Sequence, residues 1–203
     1  MARALRQSTR PCVVQAVTTA ALLSAAASAA GAQDAPPEPP GPPRGIERVS
    51  PGVAAPGAQV VVSSGDMPSM TGIRLGIGAA DVGFEELTDL VTSEEGEFSV
   101  TVTVPAWAER DRVHRFIVFD LYFRPIALSG PFHVTDAEGR VAREGRVTGE
   151  SEKCVRFVDV DEVEYALEGP PAALPDPEVS VTLEGRLREG STCGAPFTLA
   201  LAG

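Results

Sequence analysis

Three cysteines are the first residues of this sequence that could carry chemistry: Cys12, Cys154 and Cys193. A cysteine can serve as a nucleophile, as a metal ligand or as half of a disulfide. A reactive thiolate needs a cationic or helix-terminal setting. Cys154 has Lys153 and Arg156 nearby only as neighbours along a strand-like segment. The choice among these chemistries therefore depends on the compartment in which the chain folds.

An acidic run follows Cys154, in "FVDVDEVEY" (157–165), with carboxylates at Asp159, Asp161, Glu162 and Glu164. Clustered carboxylates can bind calcium, and a spaced pair can act as the acid and base of a hydrolase. The run lacks EF-hand spacing, and its D-x-D unit is not repeated. The favoured interpretation is a set of solvated polar side chains on a hairpin. A hydrolase that uses the acidic cluster remains the alternative.

The two histidines, His114 and His133, do not complete a recognisable catalytic or metal-binding motif. The sequence contains no G-x-S-x-G segment that would place a serine beside either of them. A zinc site would require both histidines to converge with Cys154 and Cys193 from distant segments, whereas structural sites usually show paired local spacing. We therefore predict no catalytic residue, no metal site and no cofactor, and we interpret both histidines as ordinary strand residues.

The charge balance argues against nucleic acids as partners. The 203-residue chain has 28 acidic residues against 17 lysines and arginines. Binding of DNA or RNA depends on basic residues that release counterions, and single strands also need stacking aromatics. Trp107 is the only tryptophan, in "VPAWAERD". We interpret it as a loop-packing residue rather than a sugar-stacking platform.

The first 32 residues are typical of a signal peptide. Arg3, Arg6 and Arg10 precede a 19-residue stretch without charge, and Ala30-Gly31-Ala32 offers a small-x-small site, so we expect cleavage before Gln33. An uncleaved anchor is the alternative, because the uncharged stretch approaches a membrane-spanning length. The predicted location is periplasmic or secreted, without stable membrane insertion after cleavage.

Cleavage would change both the charge and the cysteine count. The mature chain would keep 14 basic against 28 acidic residues, and Cys154 and Cys193 as its two cysteines. An even number of cysteines in an oxidising compartment favours a disulfide. We therefore predict the pair Cys154 and Cys193. Residues 33–44, "QDAPPEPPGPPR", are extended by composition and are interpreted as a proline-rich spacer or a disordered tail.

Residues 45–137 carry the signals of a β-sandwich. In "EFSVTVTVP" the residues Phe98, Val100, Val102 and Val104 alternate with polar ones, which indicates a half-buried strand ended by a proline. Further short strands are predicted at 59–65, 71–80, 113–123 and 131–137, the third of them central to its sheet, and strand or loop is favoured over a short helix for "ADVGFEELTDLVTSEEG". The segments "VSPGVAAPGAQVVVSSG", "GEFSVTVTVP" and "PFHVT" resemble bacterial immunoglobulin-like domains of the IPT/TIG type. This resemblance implies a spacer or binding module.

Residues 138–203 predict five more strands, enough for a small closed barrel of the OB type. The predicted hairpin turns at Asp161-Glu162. This half resembles an exported bacterial OB-like family of unknown function, whose recurring positions fall on Gly145, Val147, Cys154, Arg156, Tyr165, Leu167, Gly169, Val179, Val181, Gly185 and Cys193. The family's glutamate before the first cysteine is replaced by Lys153.

The sequence thus predicts an exported all-β protein with an immunoglobulin-like sandwich followed by an OB-like barrel. The favoured function is a non-catalytic binding or interaction module of the bacterial envelope, whose partner is an envelope protein, a peptide or a glycan. A hydrolase and a purely structural spacer with the barrel at its end are the alternatives. The residues that would bind the partner are not identified by the sequence.

Overall fold

A computed structural model describes residues 44–80, 82–151, 154–170, 174–175 and 179–202. The predicted signal peptide (1–32), with its cleavage site and Cys12, lies outside the described residues, as does the proline-rich segment up to residue 43. Residues 41–203 form one compact unit. In the described part of the chain, no helix is long and apolar enough to span a bilayer.

The described residues form fifteen strands. They are β1 Arg44–Gly45, β2 Arg48–Ser50, β3 Val53–Ala54, β4 Gln59–Ser64, β5 Gly72–Ala79, β6 Gly83–Val91, β7 Phe98–Thr103, β8 Val113–Phe119, β9 Pro125–Leu128, β10 Phe132–Val134, β11 Arg140–Ser151, β12 Cys154–Asp159, β13 Glu164–Glu168, β14 Ser180–Glu189 and β15 Phe197–Leu201. The all-β prediction is confirmed, and the segment for which a short helix was weighed contains β6.

Two sheets pack face to face in the N-terminal part. One is a three-stranded sheet in the order β2-β4-β7, and the other is built around β8, with β5 and then β6 on one side and β9 and β10 on the other. The short strands β1 and β3 extend this sheet from β9 and β10. The strand β8 is central, as predicted, but it ends at Phe119 and the remainder of the predicted segment forms a turn.

Alternating side chains of the two sheets fill the space between them. Phe98 and Val102 of β7 are buried while Ser99 and Thr101 are exposed, which is the alternation that the sequence predicts. The opposing sheet contributes inward-facing side chains from β5 and β8: Ile73, Leu75, Ile77, Phe116 and Val118. The result is an apolar core that continues along the whole sandwich.

The C-terminal part is a closed five-stranded barrel in the order β11-β12-β13-β15-β14, closed by pairing of β14 with β11. The pair β13–β15 is parallel and the others are antiparallel. A Cβ atom at Gly145 would lie 2.2 Å from the Val158 carbonyl oxygen, so only glycine lets β11 pass this close to β12. The five-stranded barrel predicted from the sequence is confirmed.

Candidate functional site

Cys154 and Cys193 form a disulfide, as predicted, with their Cα atoms 5.9 Å apart and a separation of 39 positions in sequence. Cys154 opens β12, and Cys193 lies in the loop between β14 and β15. An Nη2 atom of Arg156 also donates a hydrogen bond to the Cys193 carbonyl oxygen over 3.1 Å. Because Cys154 and Arg156 point outward from β12, the loop is held against the outer side of the barrel.

This outer side, formed by β12 and β13, is the surface with which OB barrels commonly bind their ligands. Its outward positions in the described residues are Arg156, Val158, Glu164, Ala166 and Glu168. Arg156 pairs with Glu164 over 2.5 Å, and Glu168 pairs with Arg188. The surface therefore presents paired charges and a disulfide-bound loop, and it offers no stacking aromatic among these five positions.

The sequence-based interpretation of the acidic run as a set of solvated side chains is wrong for Asp159. Its side chain is buried. It accepts hydrogen bonds from the Tyr165 hydroxyl over 2.7 Å and from the backbone N–H groups of Asp161 and Val163 over 3.0 and 2.8 Å. The carboxylate therefore closes the turn between β12 and β13 from inside the barrel.

The other three carboxylates of the run have separate positions. Asp161 accepts a hydrogen bond from the backbone N–H of Val113, at the start of β8, over 3.4 Å. Glu162 occupies the turn with a φ of 62°, and Glu164 pairs with Arg156 on the outer side of the barrel. The run does not converge on one point, and the described residues contain no group of three or more histidine, cysteine or carboxylate side chains that could hold a metal ion.

Arg143 is the central residue of the junction between sandwich and barrel. It lies on β11 with its side chain 1 % exposed, inside the barrel end that faces the sandwich. Its Nε donates to the Tyr165 hydroxyl oxygen over 3.2 Å. One terminal nitrogen donates to the carbonyl oxygens of Arg110 and Ala142 over 2.7 and 2.8 Å. The other donates to the carbonyl oxygen of Arg112 over 3.2 Å and to His133 over 2.9 Å, so all five N–H groups have an acceptor.

The Arg143 contact fixes the tautomer of His133. A guanidinium can only donate, so Nδ1 of His133 must be the acceptor and the proton of the neutral ring must be on Nε2. That Nε2 atom is buried without a hydrogen-bond partner among the described residues. The ring packs edge-on against Phe197 at 4.3 Å and beside Tyr165 at 5.5 Å. A strand residue of the sandwich is thus inserted into the polar end of the barrel.

Burial shifts the pKa values of this junction. Burial lowers the pKa of His133 to about 3, and the neighbouring charges of Arg143 and His114 act in the same direction. The pKa of the Tyr165 hydroxyl is raised, mainly by burial. Burial also raises the pKa of Asp159, against the opposing effect of the hydrogen bonds from Tyr165 and Val163. The site therefore favours a neutral histidine and a protonated tyrosine.

The second predicted strand histidine, His114, lies on β8 near the same junction. It is buried, and burial lowers its pKa. Trp107 contacts it with ring centroids 5.8 Å apart and donates its indole N–H to Glu85 of β6. Trp107 thus packs its loop against the sandwich end.

An apolar groove lies on the outer face of the β5–β6–β8 sheet, where that face meets the barrel. Its cavity has a volume of about 450 Å³. Phe84 forms one wall and Ile117 and Leu128 form part of the floor, while Arg115 and Asp161 supply its charged side chains. Both the sandwich and the barrel line this groove, so their relative position determines its shape.

A second cavity of about 380 Å³ lies beside the Arg143 network and is more polar. Its carboxylates include Asp111, Glu144 and Asp161, and Arg143 and Asp159 border it. In this cavity Asp159 is already engaged by Tyr165 and two backbone N–H groups.

Arg143 is not among the residues predicted from the sequence to have a role. One signal was present: on β11, Val141, Gly145 and Val147 occupy the inward positions, and Arg143 is the charged residue in that alternation. A charged side chain on an apolar face indicates a buried partner elsewhere in the fold.

No known protein-family model and no curated protein matches the chain at a significant level. The two family resemblances therefore remain predictions.

Proposed function

We propose that the protein is an exported, non-catalytic binding module of the bacterial envelope, and that it binds an apolar segment of a polypeptide in the groove between sandwich and barrel. The observation that carries this proposal is the groove itself, an open cavity with a largely apolar lining at the boundary of two structural parts. Such boundaries are frequent positions of ligand sites.

The lining favours a peptide over a glycan as the ligand. Glycans require many hydrogen-bond partners and a flat aromatic ring, whereas this groove offers Ile117, Leu128 and Val113 with Phe84 at its side. Arg115 and Asp161 could orient a peptide through its backbone or its polar side chains. The alternative ligand surface on β12 and β13 carries paired charges and the disulfide-bound loop, which supports the assignment to the groove.

The disulfide and the acidic charge support the proposed location and partner class. Disulfides persist in the periplasm and outside the cell, which agrees with the predicted export. The excess of 28 acidic over 17 basic residues supports a partner other than nucleic acid.

A groove-filling variant tests the proposal. Peptides selected by the chain from Gln33 onward, from a random library displayed on phage, should be apolar and should bind with measurable heat. Ala80 lines the groove and is exposed, so Ala80→Arg should lower the affinity of a selected peptide at least tenfold without disturbing the core. Ala137→Arg, in the exposed turn after β10, is the matched control. Equal affinities for the two variants would contradict the assignment.

A further inference from the structure

Five large apolar side chains are exposed together at the end of the sandwich that lies farthest from the barrel. We call this cluster the distal patch: Met70, Val91, Leu121, Tyr122 and Phe123, of which Tyr122 is 81 % exposed and Met70 is 66 % exposed. β8 begins at Val113, which packs in the barrel core, and ends at Phe119, just before the turn that carries three of these residues. The groove lies along β8 from Val113 to Ile117, and the distal patch lies beyond its C-terminal end; Phe119 adjoins both, because its ring is 4.6 Å from that of Phe84 in the groove wall.

The distal patch is contiguous. Leu121 lies over Gly72, where a Cβ atom would be 3.4 Å from its side chain, and Val91 is the β6 partner of Gly72. The Phe123 ring lies under the Arg74 guanidinium, 4.2 Å from its centroid, and 6.5 Å from the ring of Phe119. The backbone N–H of Met70 donates to Ser93, two residues after Val91. These contacts place Val91, Leu121 and Phe123 on the outer face of the β5–β6–β8 sheet, and Met70 and Tyr122 lie in the loops that adjoin it.

The turn that carries Tyr122 has a defined conformation. The Asp120 carboxylate accepts hydrogen bonds from the backbone N–H groups of Tyr122 and Arg124 over 2.8 and 3.0 Å, and it pairs with the Arg124 side chain over 2.6 Å. These bonds lower the pKa of Asp120, so the carboxylate stays ionised and the turn stays closed under ordinary conditions. The apolar side chains are therefore presented outward by a specific turn, and such a patch marks a contact surface.

The charges around the distal patch are paired. Arg44 lies 3.7 Å from Asp66, Arg74 contacts Glu86 and Asp89, and Arg124 contacts Asp120. The distal patch thus offers apolar surface and an interfacial tyrosine without an excess of positive charge. Tyrosine and phenylalanine with flanking arginines are typical of the polar–apolar boundary of a lipid bilayer. Attraction to anionic lipids is not expected from a chain with this acidic excess.

The chain enters the sandwich at this same end. Arg44 opens β1 opposite Ala127, three residues after Arg124, and β1 runs parallel to β9. The 43 preceding residues include the uncharged 19-residue stretch and the proline-rich segment 33–43. A signal peptide at residues 1–32, as predicted from the sequence, would therefore be joined to the sandwich at the end that carries the distal patch.

We propose that the distal patch is a membrane-contact surface, with Leu121, Tyr122 and Phe123 inserted into the interfacial layer of a neutral phospholipid bilayer. The contact is reversible and apolar in origin. It involves other residues than the proposed peptide groove, which it adjoins at Phe119, and it goes beyond that groove because it determines how the module is oriented at the envelope.

Vesicle sedimentation tests this proposal. The chain from Gln33 onward should partition onto phosphatidylcholine vesicles, and raising the salt from about 0.1 to 0.5 M should leave the partitioning unchanged, since no ionic attraction is screened. The double variant Leu121→Ser/Tyr122→Ser should reduce partitioning at least tenfold. The matched control is Val160→Ser/Val179→Ser, which removes two exposed apolar side chains from the barrel and should leave partitioning unchanged. Ala80→Arg, the groove variant, should also leave it unchanged.

Insertion itself has a spectroscopic readout. In Tyr122→Trp, the added fluorescence should be quenched by brominated phosphatidylcholine, whereas Trp107, near the barrel junction, should not be quenched in the unsubstituted protein. Three results would overturn the proposal. They are no binding to vesicles, a loss of partitioning in the barrel control as large as in Leu121→Ser/Tyr122→Ser, and binding only to anionic vesicles at low salt. Concentration-dependent self-association that is lost in Leu121→Ser/Tyr122→Ser would instead assign the distal patch to a second copy of the chain.

Discussion

The sandwich and the barrel have differently built interiors. The sandwich is held by a large apolar cluster drawn from both sheets, with aromatic contacts such as Phe116 against Phe132 at 5.1 Å. The barrel encloses a smaller apolar cluster, and at the end facing the sandwich it also encloses Arg143, Asp159 and Tyr165. Small units bury a lower fraction of their surface and need additional links. In this protein the links are one disulfide and one polar network, and the network also attaches the barrel to the sandwich.

Replacement of Arg143 should produce the largest loss of stability. Arg143→Met keeps most of the side-chain volume but leaves Asp159 buried without its cation and removes the guanidinium donors from the carbonyl oxygens of Arg110 and Arg112. We expect the free energy of unfolding to fall by about 3–5 kcal/mol. Urea denaturation followed by circular dichroism measures this. Arg146→Met on the same strand, at an exposed position, should change it by less than about 0.5 kcal/mol. Similar losses in both variants would refute the special role of Arg143.

Removal of the disulfide should have the next largest effect. Cys154→Ser/Cys193→Ser opens a cross-link between residues 39 apart, for which the chain-entropy relation gives about 4 kcal/mol. The loss should be confined to the barrel, because no cysteine lies in the described sandwich. Calorimetry of the variant should therefore show a lower melting temperature for the barrel than for the sandwich. A transition unchanged from that of the parent protein would show that the packed interior alone holds the barrel.

The pH dependence of stability should reveal the buried His133. The unfolded chain binds a proton at a pKa near 6.5 and the folded protein only near 3, so between these values the unfolded state binds more protons. Stability should therefore fall as the pH decreases from 6.5, by about 3 kcal/mol between pH 7 and pH 4. The raised pKa of Asp159 acts with the opposite sign, because protonation of the folded carboxyl is favoured.

The variant His133→Gln separates these two contributions. Its amide oxygen can still accept the hydrogen bond from Arg143, but the side chain no longer titrates. The difference in unfolding free energy between the parent and this variant should therefore shrink or change sign from pH 7 to pH 4 by about 3 kcal/mol. Denaturation curves at several pH values measure it. Parallel pH profiles would mean that His133 is accessible to protons in the folded state.

Replacement of Arg156, on the outer side of the barrel, should produce the smallest loss of stability. Arg156 pairs with Glu164 and donates a hydrogen bond to the Cys193 carbonyl oxygen. Unlike the buried side chain of Arg143, about half of the Arg156 side chain is exposed. Exposed ion pairs contribute at most about 1 kcal/mol, so Arg156→Ala should lower the unfolding free energy by less than that amount. Urea denaturation provides the comparison with Arg143→Met. A loss as large as that of Arg143→Met would show that the loop contact, rather than the buried network, stabilises the barrel.

Local patterns in the sequence determined the all-β fold and the disulfide. In β7, apolar and polar side chains alternate, with Phe98 and Val102 pointing inward. This alternation involves only neighbouring residues, so it can be recognised from the sequence alone. The pairing of Cys154 with Cys193 followed from the count of cysteines left after the predicted cleavage, and not from geometry. The two-part order of a sandwich and a five-stranded barrel followed from the spacing of short strands.

Only the tertiary structure decided which polar residues are buried and where the surfaces lie. Asp159 belongs to a run that is typical of a solvated hairpin, yet it is enclosed because Tyr165 and Arg143 come from strands β13 and β11 to surround it. His133 faces Arg143 because the barrel end packs on the end of the sandwich. The groove and the distal patch are likewise formed by residues distant in sequence. Hydrophobic periodicity sets the inward or outward direction of a side chain, but its partners are set by long-range packing, which one segment of sequence does not encode.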